Sequence, residues 1–226
     1  TEDLNKGNMN GEAWVPAETD VSIRPGWFYS PRTNDKVKSL EHLVDIYYTS
    51  VGRNSNLLLN VPPDQRGLIH PNDSARLMEF KQAIDKEFAN NVLKNATINA
   101  QHTRGNSSAY GADNLIDGNY NSYWTTDDEV KQSTIEITFS QPTALNRFLI
   151  QEYIPLGQRV AAFSIETWNY ETSQWEVIEE ATTIGYKRIL RFPTVITQRL
   201  RLNIKESLAC PILNNIGIYY VSEPIN

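Results

Sequence analysis

The chain has 226 residues, of which 40% are hydrophobic and 21% charged, and its net charge is −6. That length holds one large or two ordinary domains, and the composition is that of a soluble globular protein. The acidic balance, with no basic block, argues against a nucleic-acid binder; the single cysteine, Cys210, leaves no intrachain disulfide or thiolate zinc site; no apolar run nears the roughly 20 residues of a membrane span.

Thr1 to Gly11 is polar and reads as a loop, without the apolar h-region of a signal peptide. Trp14 to Tyr29, WVPAETDVSIRPGWFY, combines two tryptophans, Glu18, Asp20, Arg24 and a Pro25-Gly26 turn. Pro16 and Pro25 forbid a long helix, so the segment reads as a strand edge opening into a loop. Rings beside carboxylates and a guanidinium suit a sugar-binding cleft; the alternative is a surface loop whose tryptophans plug the edge of the core. Val37, Leu40, Leu43, Val44, Tyr47 and Val51 follow helical spacing, which predicts a helix from Lys36 to Val51 with Asn34 or Asp35 as cap and Gly52 as its C′ residue. Leu57 to Leu59, closed by Asn60-Val61-Pro62-Pro63, predicts a parallel strand buried on both faces. A second helix is predicted over 72–88, capped by Asn72 or Asp73. Helix, strand, helix is the alternation of a (β/α) barrel.

The pattern changes at Ala89. TIEITFS, RFLIQEY, AAFSIETW, TSQWEVIEE, RILRFP, QRLRLNI and NIGIYYV alternate or are rich in β-branched and aromatic residues, and turn residues separate them. The fold class is therefore α/β over residues 1–89 followed by an all-β sandwich over 90–226. Cys210 reads as a buried thiol. His42 and His70 lack partners at metal-ligand spacing. Asn60 and Asp64, at the C-terminal end of the Leu57 strand, are secondary site candidates.

GEAWVPAETDVSIRPGWFY, SVGRN, LLLNVPPD and RGLI, collinear from Gly11 to Phe88, resemble the C-terminal part of the catalytic domain of alpha-L-fucosidases, retaining glycosidases on a (β/α) barrel. The closest likeness is to a bacterial branch preferring α-1,3/1,4-linked fucose. A full barrel needs about 250 residues, so the chain is expected to be the C-terminal portion of a longer enzyme, inactive alone. Its partners would be fucosylated oligosaccharides or glycoconjugates and the remainder of the barrel, as an upstream segment or another chain. The resemblance assigns Glu18 the acid/base role, walled by Trp and Pro, and leaves the nucleophile upstream. Glu12 is a second candidate. Trp27 is expected against the 6-deoxy methyl face of fucose, with Trp14, Arg24 and Asp20 as further substrate-binding candidates. Arg24 also has the option of pairing with Asp20 or Glu18. Where relatives often carry histidine after GWFY, this chain has Ser30. A periplasmic or extracellular location follows from the same likeness.

NLIDGNYNSYWTT, STIEITFSQPTALNRFLIQE, RVAAFSIETWNYETSQWEVI and RLRLNI…NNIGIYY resemble the discoidin-like, coagulation-factor C-type jelly-roll sandwich appended to bacterial glycosidases. That likeness implies a structural Ca²⁺ at Asp117, Asn119, Asn121 and Ser122, with no cofactor for catalysis. The alternative is a tight Asp117-Gly118 turn over a core Trp124. Asn214-Asn215 stands where the family commonly supplies a glutamate. As a carbohydrate-binding module the sandwich would use residues such as His102, Arg104, Tyr110, Tyr153 and Trp168; packing against the barrel is the other role open to it.

Overall fold

The structure, a computed structural model, describes residues 7–222. Its first region alternates strands and helices: β1 (Ala17–Ser22), α1 (Leu40–Thr49), β2 (Ser55–Asn60) and α2 (Pro71–Glu87). β1 and β2 pair in parallel from Ala17↔Ser55 to Ser22↔Asn60, and Ile23 N–H extends the ladder to the Asn60 carbonyl at 2.9 Å. Side chains alternate across such a layer. The face carrying Val21, Leu57 and Leu59 packs on Leu43 and Ile46 of α1 and on Leu77 and Phe80 of α2. Complete burial of an Ile or Leu such as Ile23 or Leu43 contributes about 1.5–3 kcal/mol.

Both helices start where a side chain satisfies an early N–H. Ser39 Oγ accepts from His42 N–H at 3.2 Å, and His70 Nδ1 accepts from Asn72 N–H at 3.2 Å with Pro71 in the first turn. The caps expected at Asn34, Asp35, Asn72 or Asp73 are thus displaced, and Asp73 is buried for another purpose. Gly52 is not a left-handed C′ residue. Its need for glycine is steric, since a Cβ would stand 2.5 Å from the Tyr48 carbonyl oxygen. The left-handed residue is Asn54, at φ 67°. β2 is parallel as expected, yet Leu58 is 49% exposed, so the leucine run is covered on one face only.

The second region is an antiparallel sandwich of β3 (Ala96–Ala100), β4 (Trp124–Thr125), β5 (Ser133–Glu152), β6 (Val160–Asn169), β7 (Gln174–Ala181), β8 (Arg188–Ser207) and β9 (Ile212–Tyr219). TIEITFS and RFLIQEY are two halves of β5, while RILRFP and QRLRLNI are two halves of β8. The first half of β5 pairs with β3 and the second with β9, and β8 accompanies it throughout. Register shifts interrupt the β5–β8 ladder between Thr138 and Thr143 on β5 and opposite Pro193 on β8. Pro142 and Pro193, which cannot donate to a ladder, sit in those irregular stretches. Trp124, Phe148, Phe163, Leu202 and Ile218 fill the space between the layers.

The two regions join along a seam. Val44 and Tyr48 of α1 and Phe88 after α2 pack against Leu149, Ile189 and Tyr219 of the sandwich. Arg147 Nε donates to Tyr48 Oη at 2.8 Å, Tyr48 donates in turn to Glu87, and Ile189 N–H reaches the Gly52 carbonyl at 2.9 Å.

Candidate active site

The face of the β1–β2 layer opposite the helices carries Glu18, Asp20 and Ser22 beside Asn56, Leu58 and Asn60. Asn56 and Leu58 on it are exposed, whereas Ser22 at its C-terminal end is buried. Glu18 and Asp20 are exposed and have no hydrogen-bond or ion-pair partner among the described residues. Beyond the C-terminal end of β1, the chain turns at Gly26 (φ 81°) and presents Trp27 and Phe28, 44% and 84% exposed. Asn60 fixes that turn, for its amide donates to Ser22 Oγ at 3.0 Å and to the Trp27 carbonyl at 2.9 Å. Two carboxylates on an open face, with aromatic rings at the strand end, can hold a sugar edge-on and move a proton at its oxygen.

Arg24 does not belong to this face. It is buried, its Nε lies 2.8–2.9 Å from both Asp73 oxygens, and its NH1 donates to Thr33 Oγ1 and Asn34 Oδ1. The substrate-binding assignment is therefore corrected to a structural ion pair, with Asp73 as partner in place of Asp20 or Glu18. Trp14 precedes the N-terminal end of β1, the end nearer Glu18, and its indole N–H donates to Asn54 Oδ1 at 2.9 Å. Glu12 lines a cavity at the seam beside Trp14, away from the open face. Glu18 is exposed, so the expected Trp wall does not enclose it among the described residues. Asp64 closes its own loop on Arg66, whose hydrogen bonds pull the carboxyl down to about 2. Ser30 caps a short turn by accepting from Arg32 N–H at 3.4 Å. Phe28 went unnoticed in the sequence although it adjoins Trp27; its exposure was the missing signal.

In the sandwich, Asp117 Oδ1 accepts from Asn119 N–H at 2.7 Å, Oδ2 accepts from Ser122 Oγ at 2.5 Å, and Asn119 Oδ1 accepts from Asn121 N–H at 3.1 Å. Asn214 donates to the Tyr120 carbonyl at 3.1 Å, and its buried Oδ1 has no partner. An orphaned hard oxygen beside a loop built from carboxylate, amide and hydroxyl oxygens fits a calcium ion. Tyr110, Tyr123 and Tyr153 form a row of rings, Tyr110 tilted on Tyr123 at 5.6 Å and Tyr123 stacked on Tyr153 at 4.8 Å. Trp168 is not free to take a sugar, because the Arg199 guanidinium lies 4.7 Å above it. Arg104 is committed to Asp128 and the Thr126 carbonyl, and His102 Nδ1 lies 3.3 Å from Ser133 Oγ.

Residues 1–87 match the family model of Alpha-L-fucosidase, and residues 97–214 match that of the F5/8 type C domain. The chain belongs to the F5/8 type C family, behind the C-terminal region of an alpha-L-fucosidase. The fucosidase region and its sandwich together align with alpha-L-fucosidase 1 of Arabidopsis thaliana, 38% identical over 95% of this chain and 42% of that protein. A Ruminococcus gnavus GH29 fucosidase solved in complex with fucose superposes with a TM-score of 0.90 at 32% identity, over 97% of this chain and 44% of that one. A glycoside hydrolase 29 family member from an unknown rumen bacterium has a TM-score of 0.75 at 38% identity, over 96% of this chain and 35% of that one. The chain spans less than half the length of each of these relatives. Among the described residues, no helix is long and apolar enough to cross a membrane.

Proposed function

We propose that the chain is the C-terminal part of an exo-acting, retaining alpha-L-fucosidase that releases terminal α-1,3/1,4-linked L-fucose outside the cytoplasm. The observation that carries this reading is the exposed β1–β2 face, with its free carboxylates leading to Trp27 and Phe28. The remainder of the barrel, upstream or on another chain, covers that face and supplies the nucleophile. Glu18 is the acid/base: it gives a proton to the departing glycosidic oxygen, then takes one from the incoming water. Trp27 and Phe28 offer apolar rings to the methyl face of the sugar. Asn60 positions them through the Trp27 carbonyl.

Glu18 is the second residue of β1, roughly 13 Å of strand short of Ser22 at about 3.3 Å per residue. Retention demands a nucleophile about 5–5.5 Å from the acid/base carboxyl, which sets a distance the complete barrel must meet. The test uses the intact parent enzyme. Glu18→Gln is expected to cut turnover of a Lewis-type trisaccharide by about 10²–10⁴-fold, to spare an activated aryl fucoside, and to exceed the effect of Asp20→Asn. Undiminished trisaccharide turnover removes Glu18 from the role and leaves the fucosidase reading to be judged on the parent's own activity. For the 117–122 loop we propose a structural Ca²⁺, held by Asp117 with the Asn119, Asn121, Ser122 and Asn214 oxygens as further ligands; the ion would tie the loop to β9 and take no part in catalysis.

A further inference from the structure

A cavity of about 330 Å³ lies at the seam between the regions, lined among others by Glu12, Trp14, Arg53, Gln158, Arg159 and Arg188. An isolated antiparallel bridge pairs Arg53 with Arg188, which sets two guanidinium side chains abreast. Ile189 N–H on the Gly52 carbonyl, at 2.9 Å, locks that register. Arg188 is 7% exposed; its NH1 donates to the Thr183 carbonyl at 3.2 Å, while its buried Nε has no partner. The Arg53 guanidinium makes no hydrogen bond or ion pair among the described residues. Arg159 is different, because its donors are spent on Cys210 and the Leu156 carbonyl. The nearby carboxylates do not neutralise the pair: Glu12 lines the cavity without forming an ion pair with either arginine, and Glu179 acts on both only from a distance.

Two like charges held together at a half-closed site, one with an orphaned donor, are costly without a counterion. Burial first, and then the charge of Arg53, push Arg188 down to about 9. An oxyanion with two or more accepting oxygens matches adjacent guanidinium forks and would satisfy both. We propose that this cavity is a binding site for an oxyanion group, sulfate, phosphate or carboxylate, clamped between Arg53 and Arg188. The inference does not depend on the fucosidase reading, since the residues lie away from the open β1–β2 face.

The test titrates the full chain with sodium sulfate, sodium phosphate or glucuronate at constant ionic strength, with chloride as reference, by calorimetry and thermal unfolding. Saturable binding is expected for at least one of the three, and their order tells inorganic anion from acidic sugar. Arg53→Gln, at a partly exposed position, should weaken binding at least tenfold, and Arg188→Gln should abolish it. Three results would overturn the site: no saturable response to any anion, an equal response in Arg53→Gln and the wild type, or binding that emerges only in Glu12→Gln, which would assign the clamp to that carboxylate.

Discussion

Two buried carboxylates, one in each region, are held by opposite means. In the fucosidase region Arg24 and Asp73 are both inaccessible and neutralise each other through paired hydrogen bonds. In the sandwich, Glu152 is equally buried, yet its oxygens accept from the backbone N–H groups of Arg159, Val160 and Gly185 at 2.6–2.8 Å. A countercharge and a ring of peptide dipoles both answer desolvation, but they fail differently. The first fails when one partner is lost. The second is exposed to pH, because dipoles hold a proton-free carboxylate less firmly than a guanidinium does.

The largest expected effect breaks the ion pair. Arg24→Met leaves the Asp73 carboxylate buried and unpaired, which costs about 3–5 kcal/mol. The double variant Arg24→Met/Asp73→Leu removes both charges and should regain most of that loss. Helical circular dichroism at 222 nm under urea reads the effect, since α1 and α2 lie in the first region. Equal destabilisation in the single and double variants would mean that the stacking of the Arg24 guanidinium over Tyr29, 5.1 Å away, outweighs its pairing with Asp73.

Next in size is the response of Glu152 to pH. Burial pushes its carboxyl up from 4.5 to about 7, against the pull of its three backbone donors. Between those values the folded chain keeps a proton that the unfolded chain has released. Its contribution is therefore fully present below about pH 4.5 and is lost as pH rises to about 7, some 3 kcal/mol in all. Glu152→Gln should abolish that slope. It should also cost about 1–3 kcal/mol at pH 5, because an amide NH₂ cannot accept from Gly185 N–H. Urea midpoints at pH 5 and 8 for both proteins isolate the effect, and a slope that survives in the variant would assign it elsewhere.

How much of this was legible follows the same division. Alternation is visible where a sandwich strand is covered on one face, as in the first half of β5, while its second half is buried on both; helical spacing placed both helices to within a few residues. Pairing across long separations was not visible. Nothing in SIRPGWFY points to Asp73, 49 residues on, so Arg24 looked free for substrate. Trp14 finds Asn54, 40 residues away, for the same reason. TIEITFS and RFLIQEY read as separate strands, as did RILRFP and QRLRLNI, whereas each pair is one long strand with an irregular stretch at Pro142 or Pro193. The leucine run at 57–59 showed no alternation, so its open face could not be inferred, and that face bears the candidate carboxylates.

The smallest effect tests whether a loop can be held by its own hydrogen bonds alone. Asp117 already accepts from Asn119 N–H and Ser122 Oγ, and Gly118 supplies the left-handed turn at φ 73°. An ion would therefore add to a formed loop rather than create one. With one carboxylate among its ligands, the site should fall in the weak range of about 10⁻⁴–10⁻³ M. At 1 mM calcium that stabilises the chain by about 0.4–1.4 kcal/mol, and magnesium should not substitute. Asp117→Asn would lose the calcium response and, independently, loosen the turn. If unfolding midpoints in calcium and in chelator coincide, the loop is a self-held turn and Asn214 Oδ1 is orphaned for packing reasons alone. The loop would then, like the Glu152 pocket, be held by neutral donors, where Asp73 relies on the charge of Arg24.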